Sequence, residues 1–462
     1  MKYQHKNSSM FYAIIFFALL LAPSIFAQNG SAPPADLSEK VTEYMDAAVK
    51  VHGFSGTVMI AKDGKPLVSK GFGMANVELG VPNRPETIFR LGSITKQFTG
   101  MSIAMLRESG KLSVDDPICK YFEECPDAWK PITVSHLLAH NSGIPSYTAF
   151  PEFARDTIFP TSTDEMYKRV KDRPLDFAPG EKFAYNNSGY FLLGMIIEKV
   201  SGKTYETFLQ ENIFTPLGMK STGYDISARI IPNRAAGYKK ESGKLMNASY
   251  LDMSVPYAAG ALFSSTEDLL KWDQALYTDK LAKRETLDAI FDTGEAESAY
   301  RFGWSVGKRF ERRAISHGGG IYGFSSSMSR FPEDKVLVIA LSNIEGAPSG
   351  PIANALAAIY FGEKYEIPAE RKAIELDAKV LEKYVGKYQI NETIIVSISV
   401  EDGKLMADLA GRNKFQLLPE TEERFFSKDI NLTITFTKDE DGSVNGFLLG
   451  QGGGNTPAKK IE

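Results

Sequence analysis

The chain is organised around residues 89–98, which read Phe89-Arg90-Leu91-Gly92-Ser93-Ile94-Thr95-Lys96-Gln97-Phe98. Ser93 and Lys96 form an S-x-x-K pair at the start of a segment with helical periodicity. One face of that segment carries only apolar side chains, namely Ile94, Phe98, Met101 and Met105. Charged residues return only at its end, before the stop signal Gly110. The pattern predicts a buried helix with Ser93 at its N-terminus.

The spacing of this pair has a chemical consequence. Residues three apart lie on the same helical face, so the Lys96 amine can reach the Ser93 hydroxyl. A lysine in a dry site can lose its proton and act as a base, and a helix N-terminus favours negative charge nearby. Taken alone, such a pair is more commonly a serine cap followed by a lysine in the first turn. Its interpretation therefore depends on the other motifs.

The composition is that of an ordinary globular protein. The 462 residues are 43% hydrophobic and carry 53 basic and 57 acidic side chains, for a net charge of -4. Nearly balanced charge argues against nucleic acid or an anionic membrane surface as a partner. The length suffices for one large domain and one smaller domain.

Residues 1–27 have the features of a signal peptide. Lys2 and Lys6 precede the apolar run 11–22, and small residues lead to Ala27 before Gln28. The run is too short for a membrane span, and no later stretch is long and apolar enough to cross a bilayer. We expect cleavage between Ala27 and Gln28 and a secreted or periplasmic protein without a membrane anchor.

Neither the cysteines nor the histidines form a metal-binding pattern. Cys119 and Cys125 are the only cysteines, and in an oxidising compartment they can pair. Their spacing is not that of a metal site. His136 and His140 are spaced as zinc ligands can be, but position 137 is Leu rather than Glu and no third ligand is found. We therefore predict structural histidines and no metal.

Strand patterns lie at both ends of the first 360 residues. A helix at 37–51 precedes a hairpin across Asp63-Gly64. Strand patterns return late in four segments, at 302–306, 314–317, 325–331 and 336–342. Residues 113–276 are mostly helical in pattern. We predict an α+β fold over 28–362, in which helices and an all-helical insert flank one antiparallel sheet completed by both ends.

The last part of the chain has a different sequence pattern. Residues 363–376 are charged and contain proline, which is typical of a linker. Beyond them, at 377–462, short β segments alternate with turns and predict a small antiparallel sandwich or barrel. No cluster of catalytic side chains lies there.

Two further motifs follow the Ser93 segment. Tyr185-Asn186-Asn187 is a Y-x-N just before a predicted helix, and His317-Gly318-Gly319 is an H-x-G at the end of a predicted strand. Each has a plain structural explanation. The first can be a packed aromatic with a helix cap at Asn187 or Ser188, and the second a glycine-rich turn.

Together and in this order, the three motifs resemble those of the serine β-lactamase-like, penicillin-recognising hydrolases. The closest pattern is the branch of class C β-lactamases, D-alanyl-D-alanine carboxypeptidases, D-aminopeptidases and related esterases. The resemblance runs from about 54 to 361, and the stretches 137–145, 177–180 and 260–265 also fit. The tail is similar to the small lipocalin-like β-barrel appended to some members.

The resemblance implies a role for each residue. Ser93 would be the acylated nucleophile, and Lys96 would help to take its proton. Tyr185 would pass that proton to the leaving group. Asn187 would bind the substrate amide or orient Lys96.

The third motif would hold the substrate. The small residues at 318–320, Gly319 among them, would let a substrate lie alongside the strand, and the backbone N–H groups of Ser93 and Gly320 would form the oxyanion hole. His317 stands where many β-lactamases have the lysine of K-T-G, and Gly318 lacks a threonine hydroxyl. We expect a substrate carboxylate to be bound weakly there.

A second serine motif has the wrong setting. Residues 303–307 spell G-x-S-x-G, the nucleophile elbow of α/β-hydrolases, around Ser305. The elbow requires a strand that leads into a helix, whereas 308–313 reads as a polar turn between strands. Ser305 is therefore disfavoured as the nucleophile.

These observations predict an exported serine hydrolase, without cofactor, that forms an acyl-enzyme at Ser93 on small amide, peptide or ester substrates. The alternative is a penicillin-binding sensor that stays acylated, or a peptide-binding pseudoenzyme with little turnover. A peptide amine, an ester alcohol and a β-lactam nitrogen suit the same machinery, so the leaving group stays open. So does the oligomeric state.

Overall fold

The structure is a computed structural model that describes residue 1 and residues 33–241, 243–294, 299–391, 394–409, 413–427, 432–451 and 454–462. Apart from Met1, the predicted signal peptide lies outside the described residues. None of the helices described is both long and apolar enough to cross a membrane.

Helices and strands are numbered separately in chain order. The α-helices α1 to α13 are Leu37–His52, Thr95–Glu108, Val134–Leu138, Phe153–Asp156, Thr163–Lys171, Asn187–Ser201, Tyr205–Leu209, Thr215–Leu217, Tyr257–Gly260, Thr266–Ala275, Arg284–Phe291, Ser349–Phe361 and Ala378–Glu382. The strands β1 to β22 are Gly56–Lys62, Lys65–Phe72, Met74–Asn76, Val81–Pro82, Phe89–Arg90, Gly223–Tyr224, Tyr238–Glu241, Lys244–Asn247, Leu262–Ser264, Ala299–Arg301, Trp304–Arg309, Arg312–Ile321, Phe324–Phe331, Val336–Ser342, Gly386–Asn391, Ile394–Glu401, Lys404–Leu409, Asn413–Pro419, Arg424–Phe426, Leu432–Lys438, Val444–Gln451 and Gly454–Lys460.

The central sheet is antiparallel and has the strand order β10-β11-β12-β13-β14-β1-β2. The N-terminal hairpin completes it, because β1 pairs with β14 along its whole length. Successive residues of β14 enter different cores, as the strand period of two requires. Val338 packs with α1 and α12 on one face, whereas Leu337 and Ile339 join α2 on the other. The predicted α+β fold with one antiparallel sheet is confirmed.

The segment between the two parts of the sheet is largely helical, with α3 to α10 packed around α2. It also contains the three-stranded sheet β5-β9-β6 and the hairpin β7-β8, which the sequence analysis did not predict. These strands are two to four residues long, too short for an alternating pattern to stand out. The insert is therefore not all-helical.

A disulfide joins Cys119 to Cys125 in a loop of this insert. The loop is packed against α5, since the Phe122 ring stacks on Tyr167 with centroids 4.9 Å apart. The Tyr167 hydroxyl also donates a hydrogen bond of 2.7 Å to the Glu124 carbonyl.

Strands β15 to β22 form a closed barrel in sequential order, with β22 pairing back to β15. The barrel has its own core, in which Tyr388, Phe436 and Phe447 pack ring against ring. The predicted small C-terminal barrel is confirmed. Residues 362–377 contain neither helix nor strand, and the division of the chain into domains at the proposed boundaries stays a prediction.

Candidate active site

Ser93 lies in a single 3₁₀ turn, Gly92–Ile94, that runs directly into α2. The helix is buried on nearly every face, and its buried polar side chains are hydrogen-bonded in the core, as Thr99 is to the Ala258 carbonyl oxygen and Gln97 to Trp272. Phe98, for example, stacks on Trp272 with ring centroids 4.3 Å apart. A serine at the start of such a helix is held rigidly by the core behind it. The structure thus places Ser93 where the sequence pattern predicted, at the N-terminus of a core helix.

Two glycines let strand β12 lie against the nucleophile turn. Gly92 has a left-handed backbone with φ of 56°, and a β-carbon there would lie 2.9 Å from the Gly320 carbonyl oxygen. A β-carbon on Gly319 would come within 2.0 Å of the Leu91 carbonyl oxygen and 3.0 Å of the Ser93 nitrogen. Both positions therefore require glycine. Their close approach brings the backbone of Gly320 beside Ser93, as an oxyanion hole would need.

The Lys96 side chain is fully buried beneath Ser93. Its Nζ donates to Ser93 Oγ at 3.1 Å, to Asn187 Oδ1 at 2.8 Å and to the Ala259 carbonyl oxygen at 2.8 Å. These acceptors are all uncharged, and no carboxylate of the described residues pairs with this amine. Burial therefore lowers the pKa of Lys96 well below its ordinary value. The result is an amine that can be neutral next to a serine hydroxyl.

Tyr185 lies beside both Ser93 and Lys96. Its ring centroid is 5.0 Å from Lys96 Nζ. Desolvation raises the pKa of Tyr185 to about 12, although the residue is 43% exposed, and the nearby Ser93 hydroxyl opposes that rise. At neutral pH the phenol is protonated, so it can donate to a group that departs from the acyl carbon.

The residue after Tyr185 positions Asn187. Asn186 is the N-cap of α6, because its Oδ1 accepts from Gly189 N at 2.9 Å. The sequence analysis offered Asn187 or Ser188 as the cap. With Asn186 in that role, Asn187 directs its Oδ1 to Lys96 and its Nδ2 to Thr148 Oγ1 at 3.2 Å. Of the two roles expected for Asn187, this geometry fits the orientation of Lys96.

His317 is neutral, and both of its ring nitrogens are engaged. Nδ1 is in contact with the Gly318 carbonyl oxygen and Nε2 lies 2.8 Å from the Tyr300 hydroxyl. Because a carbonyl oxygen only accepts, Nδ1 carries the proton and Nε2 accepts from Tyr300. Burial, assisted by the charge of Lys96, lowers the pKa of His317 to about 4. The third motif therefore offers a substrate no cation.

Sequence reasoning missed the aromatic layer beneath these residues. The His140 ring lies 4.4 Å from both Tyr185 and Tyr300, and its Nδ1 accepts from Asn186 N at 3.1 Å. His136 instead accepts from Thr133 N within a helix cap. The described residues contain no group of three or more histidines, cysteines or carboxylates close enough to share a metal. His140 had a signal in the 137–145 stretch, whereas Tyr300 belongs to no motif.

The second serine motif does not have the context that an elbow needs. Ser305 lies in β11 and pairs across the sheet with Ser316. Strand β11 leads through a turn at 310–311 into β12, not into a helix. A nucleophile elbow is absent from this segment.

A cavity of about 320 Å³ opens beside Ser93. Asn187 and Gly320 border it close to the serine, and its walls are mainly apolar, with Leu251, Val255 and Phe324 among them. The volume is that of a small-molecule site. The cleft can therefore hold a small acyl group next to the candidate nucleophile.

Comparison with known families agrees with this geometry. The family model described as Beta-lactamase matches residues 38–360, and a Domain of unknown function (DUF3471) matches residues 370–451. The first match covers the sheet, the insert and all three motifs. The second falls on the segment after α12 and most of the barrel.

Similar proteins extend over most of the chain. Penicillin-binding protein 4* of Bacillus subtilis (strain 168) is 31% identical over 89% of this chain and 96% of its own. A D-aminopeptidase of Gluconobacter oxydans (strain 621H) is 30% identical over 71% of this chain and 64% of its own. The solved structure of the octameric penicillin-binding protein homologue from Pyrococcus abyssi has a TM-score of 0.66 and 28% identity, over 91% of this chain and 99% of its own. On this evidence the chain belongs to the β-lactamase family and is a serine hydrolase.

Proposed function

We propose that this serine hydrolase works through an acyl-enzyme at Ser93 and that its substrates are small amides, peptides or esters of D-amino acids. The observation that carries the proposal is the environment of Lys96. A fully buried amine with three uncharged oxygen partners, one of them Ser93 Oγ at 3.1 Å, is suited to act as a base. The D-configuration rests on the similarity to a D-aminopeptidase.

In the proposed reaction, Lys96 takes the Ser93 proton as Oγ forms a bond with the acyl carbon. The negative charge on the former carbonyl oxygen is stabilised by the N–H groups of Ser93 and Gly320. Tyr185 then donates a proton to the leaving nitrogen or oxygen as the acyl–leaving-group bond breaks. Water attacks the acyl-enzyme by the reverse proton path, which frees the acid and restores Ser93. Every proton moves between groups of this chain, the substrate and water.

A covalent serine probe tests the nucleophile. A fluorophosphonate should label the wild type and the Ser305→Ala variant and should leave Ser93→Ala unlabelled. Labelling of Ser93→Ala together with loss of labelling in Ser305→Ala would transfer the site to the second serine motif.

Steady-state turnover separates the enzyme from the sensor or pseudoenzyme. We expect continuous release of p-nitroaniline from D-alanine p-nitroanilide, and slower release from the L-isomer. A burst of one equivalent with no further release would favour a protein that stays acylated. The absence of any reaction with both the probe and the substrates would favour the pseudoenzyme.

We also propose that the protein is exported and cleaved between Ala27 and Gln28. The support is the charge and apolar pattern of residues 1–27. N-terminal sequencing of the protein recovered from its native host should begin at Gln28. A mature protein that retains Met1 would contradict this.

A further inference from the structure

The cavity beside Ser93 lies on the acyl side of the proposed reaction. The leaving group departs toward the proton donor Tyr185, whose ring neighbours are Tyr300 and His317. None of these three residues is among the described residues that line the cavity. In the proposed reaction the cavity therefore receives the side chain of the acyl group that becomes bonded to Ser93.

One wall of this cavity begins at Asn187, close to Ser93. The Asn187 Nδ2 donates to Thr148 Oγ1 at 3.2 Å, and its backbone N–H donates to Ser146 Oγ at 3.2 Å. These two bonds fix the turn in which Tyr147 lies between the two hydroxyl residues. Asn187, Thr148 and Tyr147 all line the cavity. This wall therefore leads from the nucleophile to the Tyr147 ring.

The opposite wall begins at Ala259, whose carbonyl oxygen accepts from Lys96 at 2.8 Å. The chain just before Ala259 contributes three apolar side chains to the cavity, those of Leu251, Val255 and Pro256. This wall therefore also starts beside the reacting groups, and it continues as an apolar surface along the loop that precedes α9.

The two walls meet at Phe153, the first residue of α4. Phe153 lines the cavity, and its ring packs against that of Tyr147 with centroids 5.8 Å apart. The loop of the opposite wall is attached to the same helix, because Asp252 N donates to the Thr157 carbonyl oxygen at 2.9 Å. Thr157 N in turn donates to the Phe153 carbonyl oxygen at 3.1 Å. Phe153 is thus held where the two walls come together.

A second and much smaller cavity lies on the other side of these residues. Its volume is about 10 Å³, room for about one water molecule. Tyr147, Phe153 and Val255 line both cavities, so their side chains form the partition between them. The second cavity also reaches Asp156 and Arg169, a partly exposed ion pair with an N–O distance of 3.5 Å. The partition therefore separates the acyl cavity from a narrow gap near the protein surface.

Phe153 is the least buried member of the partition. Tyr147 and Val255 are each 3% exposed and belong to the core. Phe153 is only partly buried, and no residue of α4 is buried. A change at Phe153 can therefore alter the end of the cavity while the core stays intact.

We propose that Phe153 limits the length of the acyl side chain that the enzyme accepts, and this rests on the proposed acyl-enzyme at Ser93. An apolar side chain that fills the cavity should gain about four-fold in kcat/KM for each methylene it buries. A chain long enough to reach Phe153 meets the partition and gains nothing further. The preferred substrates then carry compact apolar side chains on the acyl group, either of a short fatty acid or of an amino acid.

A series of p-nitrophenyl esters tests this limit, because acetate, butyrate and octanoate differ only in acyl length. The wild type should prefer butyrate to octanoate. Phe153→Ala opens the partition and should raise the octanoate-to-butyrate ratio of kcat/KM about ten-fold or more. Phe153→Leu should raise the ratio less, and the larger side chain of Phe153→Trp should shift the preference toward acetate. Phe150→Ala is the matched control and should leave the ratio unchanged, because Phe150 lines the second cavity but not the first.

A second pair of esters checks which part of the substrate the cavity holds. The butyrates of p-nitrophenol and 4-methylumbelliferone differ only in the leaving group, and their ratio should be the same in the wild type and Phe153→Ala. A change in this ratio without a change in the octanoate-to-butyrate ratio would place the leaving group in the cavity and overturn the inference.

The remaining outcomes separate the inference from the proposed function. A wild type that prefers octanoate, an unchanged length preference in all three Phe153 variants, or an equal change in Phe150→Ala would overturn the inference alone. Loss of ester hydrolysis in Ser93→Ala would still support the acyl-enzyme in each of these cases. Hydrolysis of the esters by Ser93→Ala at the wild-type rate would overturn both proposals.

Discussion

Lys96 and Arg330 are both buried basic residues, but their surroundings shift their pKa values in opposite directions. Arg330 is 2% exposed, and its Nε donates to Asp273 Oδ1 at 2.8 Å. Burial lowers the pKa of Arg330, but Asp273 and Tyr277 together outweigh that effect and raise it. Lys96 is 0% exposed and has only uncharged oxygens as partners, so burial lowers its pKa without opposition.

The difference distinguishes a cation that stabilises the fold from an amine that can exchange a proton. Arg330 is a permanent cation whose charge is balanced by the Asp273 carboxylate. Lys96 has no carboxylate partner, so desolvation, which disfavours the charged ammonium, is not offset and the neutral amine becomes accessible. A buried base without a carboxylate is a costly arrangement, and such sites concentrate where a proton has to move.

The largest expected effect is the loss of activity on replacing Lys96. Lys96→Met removes the proposed base, and we expect kcat/KM for a p-nitrophenyl ester to fall about 10³-fold. Its stability to urea should be unchanged or higher, because no cation is left to desolvate. Lys96→Arg should be equally inactive but less stable, since a guanidinium cannot give up its proton. A Lys96→Met enzyme within ten-fold of wild type would show that another group is the base.

Replacing Arg330 should reduce the stability of the fold rather than the activity. Arg330→Met leaves Asp273 buried and unpaired, so we expect a loss of about 3–5 kcal/mol in the free energy of unfolding. The double variant Arg330→Met/Asp273→Leu should recover most of this loss. Esterase activity per folded molecule should stay near that of the wild type in both. The comparison would fail if the single variant were inactive while fully folded.

A lysine in place of His317 at the third motif would sharpen the comparison. His317→Lys with Gly318→Thr adds a charge and a hydroxyl on the leaving-group side, and a β-carbon on Gly318 meets only the Ser326 carbonyl oxygen at 3.5 Å, an ordinary contact. Hydrolysis of a cephalosporin relative to a neutral ester should rise roughly 10- to 100-fold. The single variant His317→Lys serves as the control for charge alone. An unmodified enzyme that already prefers the cephalosporin would contradict our account of His317.

The smallest expected effect is a loss of stability at acidic pH. His317 has a folded-state pKa of about 4 against 6.5 unfolded, so between these values the unfolded chain binds more protons. Stability present above pH 6.5 is therefore lost as the pH falls toward 4. Urea titrations at pH 7 and pH 5 should differ by about 1–2 kcal/mol more in the wild type than in His317→Gln. Parallel losses in the two proteins would assign the acid sensitivity to other groups, such as His140.

Much of the fold could be predicted because its signals are local. The apolar periodicity of α2, the Asp63-Gly64 turn and the runs of β13 and β14 all lie within a dozen residues. The C-terminal barrel has the same advantage, since each strand pairs with its neighbour in the chain. The short strands β5, β6 and β9 have no such signal, because pairing across the fold and not local pattern selects them.

The residues of the site likewise differ in whether a local sequence pattern predicts them. Ser93 and Lys96 are one helical turn apart, so spacing alone could bring them together. Lys96 also donates to the Ala259 carbonyl oxygen, which is a backbone group, so the residue type at that position gives no sign of this contact. Tyr300 reaches His317 only through the register of the sheet, and an isolated tyrosine carries no pattern. Sequence reasoning finds the residues that react more readily than those that position them.

The pairing of β1 with β14 also governs how the protein forms. Ser342 Oγ donates to the carbonyl of Ser55, a residue 287 positions earlier, beside the ladder that joins β1 to β14. Contacts so distant in sequence form late, because a long loop must close before they are made. A growing chain that has already produced Ser93, Tyr185 and His317 still lacks the sheet that holds them together. We therefore expect the hydrolase to stay inactive until β14, the last strand of its central sheet in the chain, has been synthesised.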